Sequence, residues 1–270
     1  MIETLKYATI SQISTKDLRF YDPDDIAGSM DFCKKLGITY LPDRNRKHCY
    51  ELVGGSFILR KLHEIEQCNP WDLIFSEDTL AKFRKNNSDN VLIVTEANRI
   101  KGVVHIVDYN REFVFSEFYR LVFGFETMLR KFLLLKGVNN ESIREFYKLK
   151  ASEEGAKNFW KKRYKEFANN EARLHEKQNI LGPLQIFYLS DLLNYYVSLD
   201  MIADEEKKSI LNVRNRIAHS VDIISNRMNE KADKLYNFNG LQCFVRDSLV
   251  FFNHFEKLSE NLKDLEYQVV

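Results

Sequence analysis

The chain has 270 residues, 44% hydrophobic and 29% charged, a composition that excludes a disordered polymer and fits one or two globular domains. Forty basic against thirty-nine acidic side chains leave a net charge of +1, so no global basic field exists to capture nucleic acid or an anionic surface, and any such binding needs a local patch. MIETLKYATI lacks a signal-peptide core, and no run of eighteen apolar residues occurs; the expectation is a cytoplasmic protein with no membrane partner.

Taken in chain order, Asp22-Pro23-Asp24-Asp25 reads as a helix start, with acids and proline in the first turn. The helix is predicted from Pro23 to Leu36, stopping at Gly37. Ile38-Thr39-Tyr40-Leu41 follows as a strand ended by Pro42. Ser76-Glu77-Asp78 starts a second helix through Lys85. Val91-Leu92-Ile93-Val94-Thr95 is a β-branched strand, Glu96 to Arg99 a turn, and Ile100 to Ile106 a second strand. Helix, strand, turn and strand thus recur within the first 110 residues, a weak internal repeat.

Beyond residue 110 the spacing becomes helical. Phe115, Phe118, Leu121, Val122, Phe125, Leu129, Phe132 and Leu133 mark a helix from Arg111 to Lys136, ended by Gly137. Further helices are predicted over Ser142–Asn170, broken near Ala151–Gly155, over Leu184–Leu199, over Asp204–Ala218, and over Asn229–Tyr267 with an interruption at Asn237–Gly240. The expected fold class is a two-domain α+β chain: an α/β module over 1–110 and an all-α helical bundle over 111–270. Cys33, Cys49, Cys68 and Cys243 have neither zinc-site nor disulfide-framework spacing and read as four reduced thiols.

DPDDIAGSMDFCKKLGITYLP (Asp22–Pro42) and VLIVTEANRIKGVVHIVD (Val91–Asp108) resemble a pair of CBS domains, the nucleotide-sensing module named after cystathionine β-synthase. The resemblance implies a regulatory adenine nucleotide, AMP, ADP or ATP. Asp108 matches the family's aspartate. A carboxylate at a helix start can accept both hydroxyls of a ribose; it can equally cap the next helix. His105 stands where the family has a hydroxyl residue. In the first copy Ile58 and Lys61 occupy the corresponding positions, so at most one ligand site per pair is expected.

The strongest chemical signal is Asn212-Val213-Arg214-Asn215-Arg216-Ile217-Ala218-His219-Ser220. Arg, four residues, then His, with Asn directly after the Arg, resembles the signature of the HEPN family. Those are all-helical domains, frequently metal-independent ribonucleases of toxin, phage-defense and RNA-processing systems. Histidine is near half-protonated at neutral pH, so His219 can move a proton. Arginine presents a rigid fork of donors to phosphate, so Arg214 can hold the scissile group. Asn215 would orient the site. RNA supplies its own nucleophile, the 2′-hydroxyl, and no cofactor is then needed for catalysis. The implied products carry 2′,3′-cyclic phosphate and 5′-hydroxyl ends.

On an ideal helix 215 and 219 lie about 40° apart and 214 and 219 about 140° apart. The family resemblance implies a homodimer with two motifs facing one cleft. Placement near a helix C-terminus also suits these cations without any activity, through the helix dipole. The expectation is an endoribonuclease acting on RNA, tRNA among the candidates, under nucleotide control. The alternatives are a non-catalytic nucleotide-sensing adaptor and an RNA-binding protein that does not cut. Two weaker features complete the reading. Glu126 and Arg130 are spaced as an intrahelical ion pair or as cleft-lining residues. Residues 144–165, with eight basic and three acidic side chains among five aromatic ones, suit either RNA stacking or an amphipathic helix with an aromatic core face.

Overall fold

The structure is a computed structural model that describes residues 3–36, 38–85, 90–169, 173, 176, 182–218 and 238–269. It is a mixed α+β chain with two small sheets and a C-terminal helical region. Two short helices, α1 (Glu3–Lys6) and α2 (Ile10–Ile13), precede α3 (Ile26–Leu36). Helix α3 starts three residues later than the acidic run predicts. Asp25 Oδ1, not Asp22, accepts the Gly28 N–H at 2.9 Å and caps the first turn.

The first sheet is an antiparallel meander of β1 (Tyr40–Pro42), β2 (His48–Val53) and β3 (Ser56–Lys61). The predicted repeat allows two strands after its helix, and this sheet has three. Gly54 and Gly55, at φ +57° and +85°, form the two-residue turn joining β2 to β3. A turn of this hand requires positive φ at both central positions, which glycine adopts without steric cost.

The second sheet holds β4 (Gln67–Cys68), β5 (Val91–Glu96) and β6 (Arg99–His105). Strand β4 runs parallel to β5, with α4 (Glu77–Lys85) in the connection, and β5–β6 is the predicted hairpin. The free edge of β6 pairs with Thr15, whose N–H donates to Val103 O at 2.8 Å. A 3-10 turn over Ile106–Asn110 ends this region.

Helices follow: α5 (Glu112–Leu135), α6 (Asn140–Ser152), α7 (Asn158–Asn169), α8 (Leu189–Ser198), α9 (Asp204–Ala218) and α10 (Phe238–Val269). Helix α5 buries the predicted stripe of Phe118, Leu121, Phe125, Leu129 and Phe132, and the chain leaves the helix at Gly137. Helix α8 starts five residues later than predicted, because Leu184 to Phe187 form turns instead. The predicted helical stretch 229–237 lies outside the described residues.

Two compact units result: Met1–Phe118 with Arg216–Leu249, and Tyr119–Asn215 with Val250–Val270. The change from strands to helices falls at 110/111, but the units do not divide there. Helices α5, α9 and α10 each give one part to each unit. In the first unit the Phe75 ring meets Tyr109, Phe118 and Phe244 edge-on at 5.5–6.1 Å, and the Tyr109 hydroxyl donates to Ile74 O at 2.7 Å. In the second unit Phe125 packs on Phe251 at 5.5 Å and Phe132 on Tyr196 at 5.7 Å. Such contacts add roughly 0.5–1.5 kcal/mol each beyond area burial. Among the described residues no helix is long and apolar enough to cross a membrane.

Candidate functional site

Helix α9 buries Ile210, Val213 and Ile217 on one face. That spacing puts Arg214 at the edge of the buried face and turns Asn215 away from the core. Arg214 is half-buried, Asn215 is exposed, and Arg214 Nη1 donates to Asn215 Oδ1 at 3.2 Å. Both line an open depression of about 360 Å³ with Leu211 of the same helix and Tyr188, Leu189 and Ser190 from the start of α8. The predicted partner His219 lies outside the described residues. Helix α9 continues through Ala218, so Arg214 and Asn215 sit in regular helical geometry.

The wall opposite α9 is rigidly held. Asp191 is 1% exposed and occupies the third position of α8, where its Oδ2 accepts the Tyr188 N–H at 3.0 Å. The same carboxylate accepts Arg163 Nε at 3.0 Å and Nη2 at 2.5 Å, and the Tyr147 hydroxyl at 2.8 Å. Burial, then the adjacent Asp191 charge, push the Tyr147 phenol well above its ordinary value, so it is a fixed donor. The Arg163 guanidinium lies 4.8 Å from the Tyr188 ring centre. Arg130 Nη2 donates to Phe187 O at 3.0 Å and pairs with Glu126 at 2.6 Å. The Glu126–Arg130 pair is therefore intrahelical and also ties the turn before α8 to α5.

Segment 144–165 uses most of its aromatic residues internally. Tyr147 is fully buried, and the Trp160 ring lies 5.8 Å from Phe146 and 5.4 Å from Tyr147. These rings join α6 to α7 as a packed face.

A second concavity, of about 520 Å³, lies in the first unit. Asp108 and His105 both line it, as do Asp17, Arg19, Tyr40 and Phe32. Asp108 Oδ2 accepts the His105 N–H at 2.8 Å, which caps the 3-10 turn, and Oδ1 accepts Arg111 Nε at 3.0 Å. Arg111 reaches on to Thr15 Oγ1 at 2.6 Å. Asp108 thus acts as a cap and also faces the cavity. Arg111 Nη2 also lies 2.9 Å from Oδ1. A carboxylate has roughly four acceptor positions, so these three contacts leave little capacity for hydroxyls. His105 Nδ1 accepts the Val107 N–H at 3.1 Å, which places a neutral ring's proton on Nε2. The Arg19 guanidinium sits 4.6 Å from the Phe32 ring centre at the same cavity.

Sequence reasoning did not single out Arg19 or Tyr188. Neither belongs to a motif, and only tertiary folding brings Arg19 beside the β5–β6 hairpin and Tyr188 beside α9. Among the described residues no cluster of His, Cys, Asp and Glu is arranged to hold a metal ion. Comparison with family models, curated proteins and solved structures finds no match to this chain.

Proposed function

We propose that the protein is a metal-independent endoribonuclease of HEPN type, regulated by an adenine nucleotide bound in a CBS-like N-terminal module. The observation that carries this reading is the convergence of Arg214 and Asn215 on one open depression, with the guanidinium held by the amide at 3.2 Å. A fixed guanidinium in a concave site is suited to a phosphodiester and to the charge that develops on it.

In this mechanism Arg214 grips the scissile phosphate and Asn215 fixes the direction of the fork. His219, five positions on, takes the proton of the 2′-hydroxyl or returns one to the leaving 5′-oxygen. The attacking oxygen closes on phosphorus while the bond to the 5′-oxygen breaks, leaving a 2′,3′-cyclic phosphate and a 5′-hydroxyl. A homodimer would bring two such motifs to one cleft, so that histidine and arginine can come from different protomers. A role as toxin or phage-defense effector accords with an activity held under ligand control.

The nucleotide reading is supported by Asp108, His105 and Arg19 around the cavity of about 520 Å³, a volume in the range of small-molecule sites. Asp108 would take the ribose hydroxyls, the aromatic and aliphatic lining the base, and Arg19 a phosphate. Regulation requires that the nucleotide bind two states of the protein with different affinity. The same cavity supports a second reading, a non-catalytic nucleotide-sensing adaptor, because it is independent of Arg214.

The test is incubation of the purified protein with total RNA and tRNA in EDTA, with and without AMP, ADP or ATP. Cleavage by the parent chain, lost in both Arg214→Ala and His219→Ala with the melting temperature unchanged, is the expected result. Intact RNA together with nucleotide binding that Asp108→Ala removes would favour the adaptor.

A further inference from the structure

The depression beside Arg214 has an aromatic wall that the motif does not explain. Tyr188 is 64% exposed, high for a large ring in a concave site. Its backbone is anchored on both sides. Its backbone N–H is held by buried Asp191, and the carbonyl just before it accepts from Arg130. One face of the ring is covered by Arg163, which is itself locked by Asp191 and, at 2.8 Å, by Glu166. Tyr188 lines the same depression as Arg214 and Asn215.

We infer that Tyr188 is the nucleobase platform of this site: a base next to the phosphate held by Arg214 stacks on the exposed face of its ring. The inference rests on the ribonuclease reading for the identity of the phosphate, and it adds the substrate class. A base can lie on this face only when it is free of its own helical stack, so the ligand is single-stranded RNA or an unpaired loop. Stacking is tolerant of sequence, because every base has a π-face, and the guanidinium beneath the ring extends the stack. Purines, with more ring area, are favoured. The anchored backbone and the guanidinium on one ring face lower the ordering cost that a mobile tyrosine would add on binding.

The experiment uses the full chain and a short single-stranded 2′-fluoro RNA carrying one 2-aminopurine. This RNA lacks the 2′-hydroxyl and cannot be cut by the proposed route, so the readout is independent of activity. Stacking quenches 2-aminopurine fluorescence. The parent chain and Tyr188→Phe should both quench it on binding. Tyr188→Ala, checked for an unchanged melting temperature, should bind between about fivefold and a hundredfold more weakly and lose the quench at saturation. Arg214→Ala should bind more weakly yet keep the quench at saturation.

Equal affinity and quench in Tyr188→Ala and the parent chain, or no binding by the parent chain, overturns the inference. If quenching follows Tyr188 while natural RNA stays uncut, the ribonuclease reading fails and the platform stands. If Tyr188→Ala binds, quenches and cuts natural RNA as the parent does, the platform fails and the ribonuclease reading stands.

Discussion

Asp191 takes both Nε and Nη2 of Arg163, at 3.0 and 2.5 Å, from a position only 1% exposed to solvent. The pair joins α7 to the first turn of α8, beside the depression that Arg214 lines. Desolvating two charges offsets much of their attraction, so the intact pair is a weak source of net stability. Removing one partner is different, because it leaves the other charge buried. Asp191→Ala should destabilise the protein by about 3–5 kcal/mol, read from urea melts. A loss under about 1 kcal/mol would mean that water or another group already compensates Arg163.

Gly102 packs against the chain beside β6. A Cβ there would lie 2.7 Å from Thr15 O, closer than side-chain carbons approach an oxygen, and Thr15 is held by two backbone bonds to Val103. Gly102→Ala must push this pairing apart, at a cost of about 1–3 kcal/mol. Thr15 also lines the cavity with Asp108, so the same variant should weaken any ligand bound there. Unchanged stability by thermal melting would contradict the close approach.

The four cysteines differ sharply in access. Cys49 and Cys68 are buried, and burial followed by a nearby aspartate pushes each thiol up to about 12. Cys33 is also buried and raised, whereas Cys243 is exposed. The thiolate is the reactive form. Under native conditions a maleimide at pH 7 should therefore add once, at Cys243, and four times after denaturation, as counted by mass spectrometry. Rapid native labelling of Cys49 would contradict this core.

Glu206 is held below its ordinary 4.5, first by the Ala203 N–H at 3.0 Å and then by His254, whose Nε2 lies 3.1 Å away. A lowered folded value means that the unfolded chain binds the proton more readily. This contribution is therefore complete above pH 4.5 and disappears as pH falls through the lower, folded value. The stability gap between the parent chain and Glu206→Gln should be present above pH 4.5 and close as pH falls below it. A gap that widens in acid would contradict the assignment.

Much of the helical region was legible because each segment carries its own period. The α5 stripe from Phe118 to Phe132, the stop at Gly137 and the acidic start of α9 at Asp204 are local signals, and the structure places these elements where they indicate. The β5–β6 hairpin was readable from Val91–Thr95 for the same reason. Strands β2 and β3 were harder. His48–Val53 and Ser56–Lys61 mix charged and apolar residues on a half-exposed meander, and Gly54-Gly55 was the one available turn signal. The start of α8 was obscured because Leu184 and Phe187 are buried from turns rather than from a helix. At the site, Arg214 and Asn215 were visible as a motif. Tyr188 and Arg19 were not, since no local pattern marks a residue whose neighbours are supplied by distant chain.

In the proposed reaction RNA's own 2′-hydroxyl does the chemistry at Arg214 and His219. The decisive experiment maps one cut in a defined RNA and replaces the nucleotide 5′ to that cut with its 2′-deoxy form. The cut should disappear at that position alone, in EDTA, and the unmodified RNA should yield 2′,3′-cyclic phosphate and 5′-hydroxyl ends. Cleavage that survives the 2′-deoxy replacement, or that leaves 3′-hydroxyl ends, would contradict this reaction.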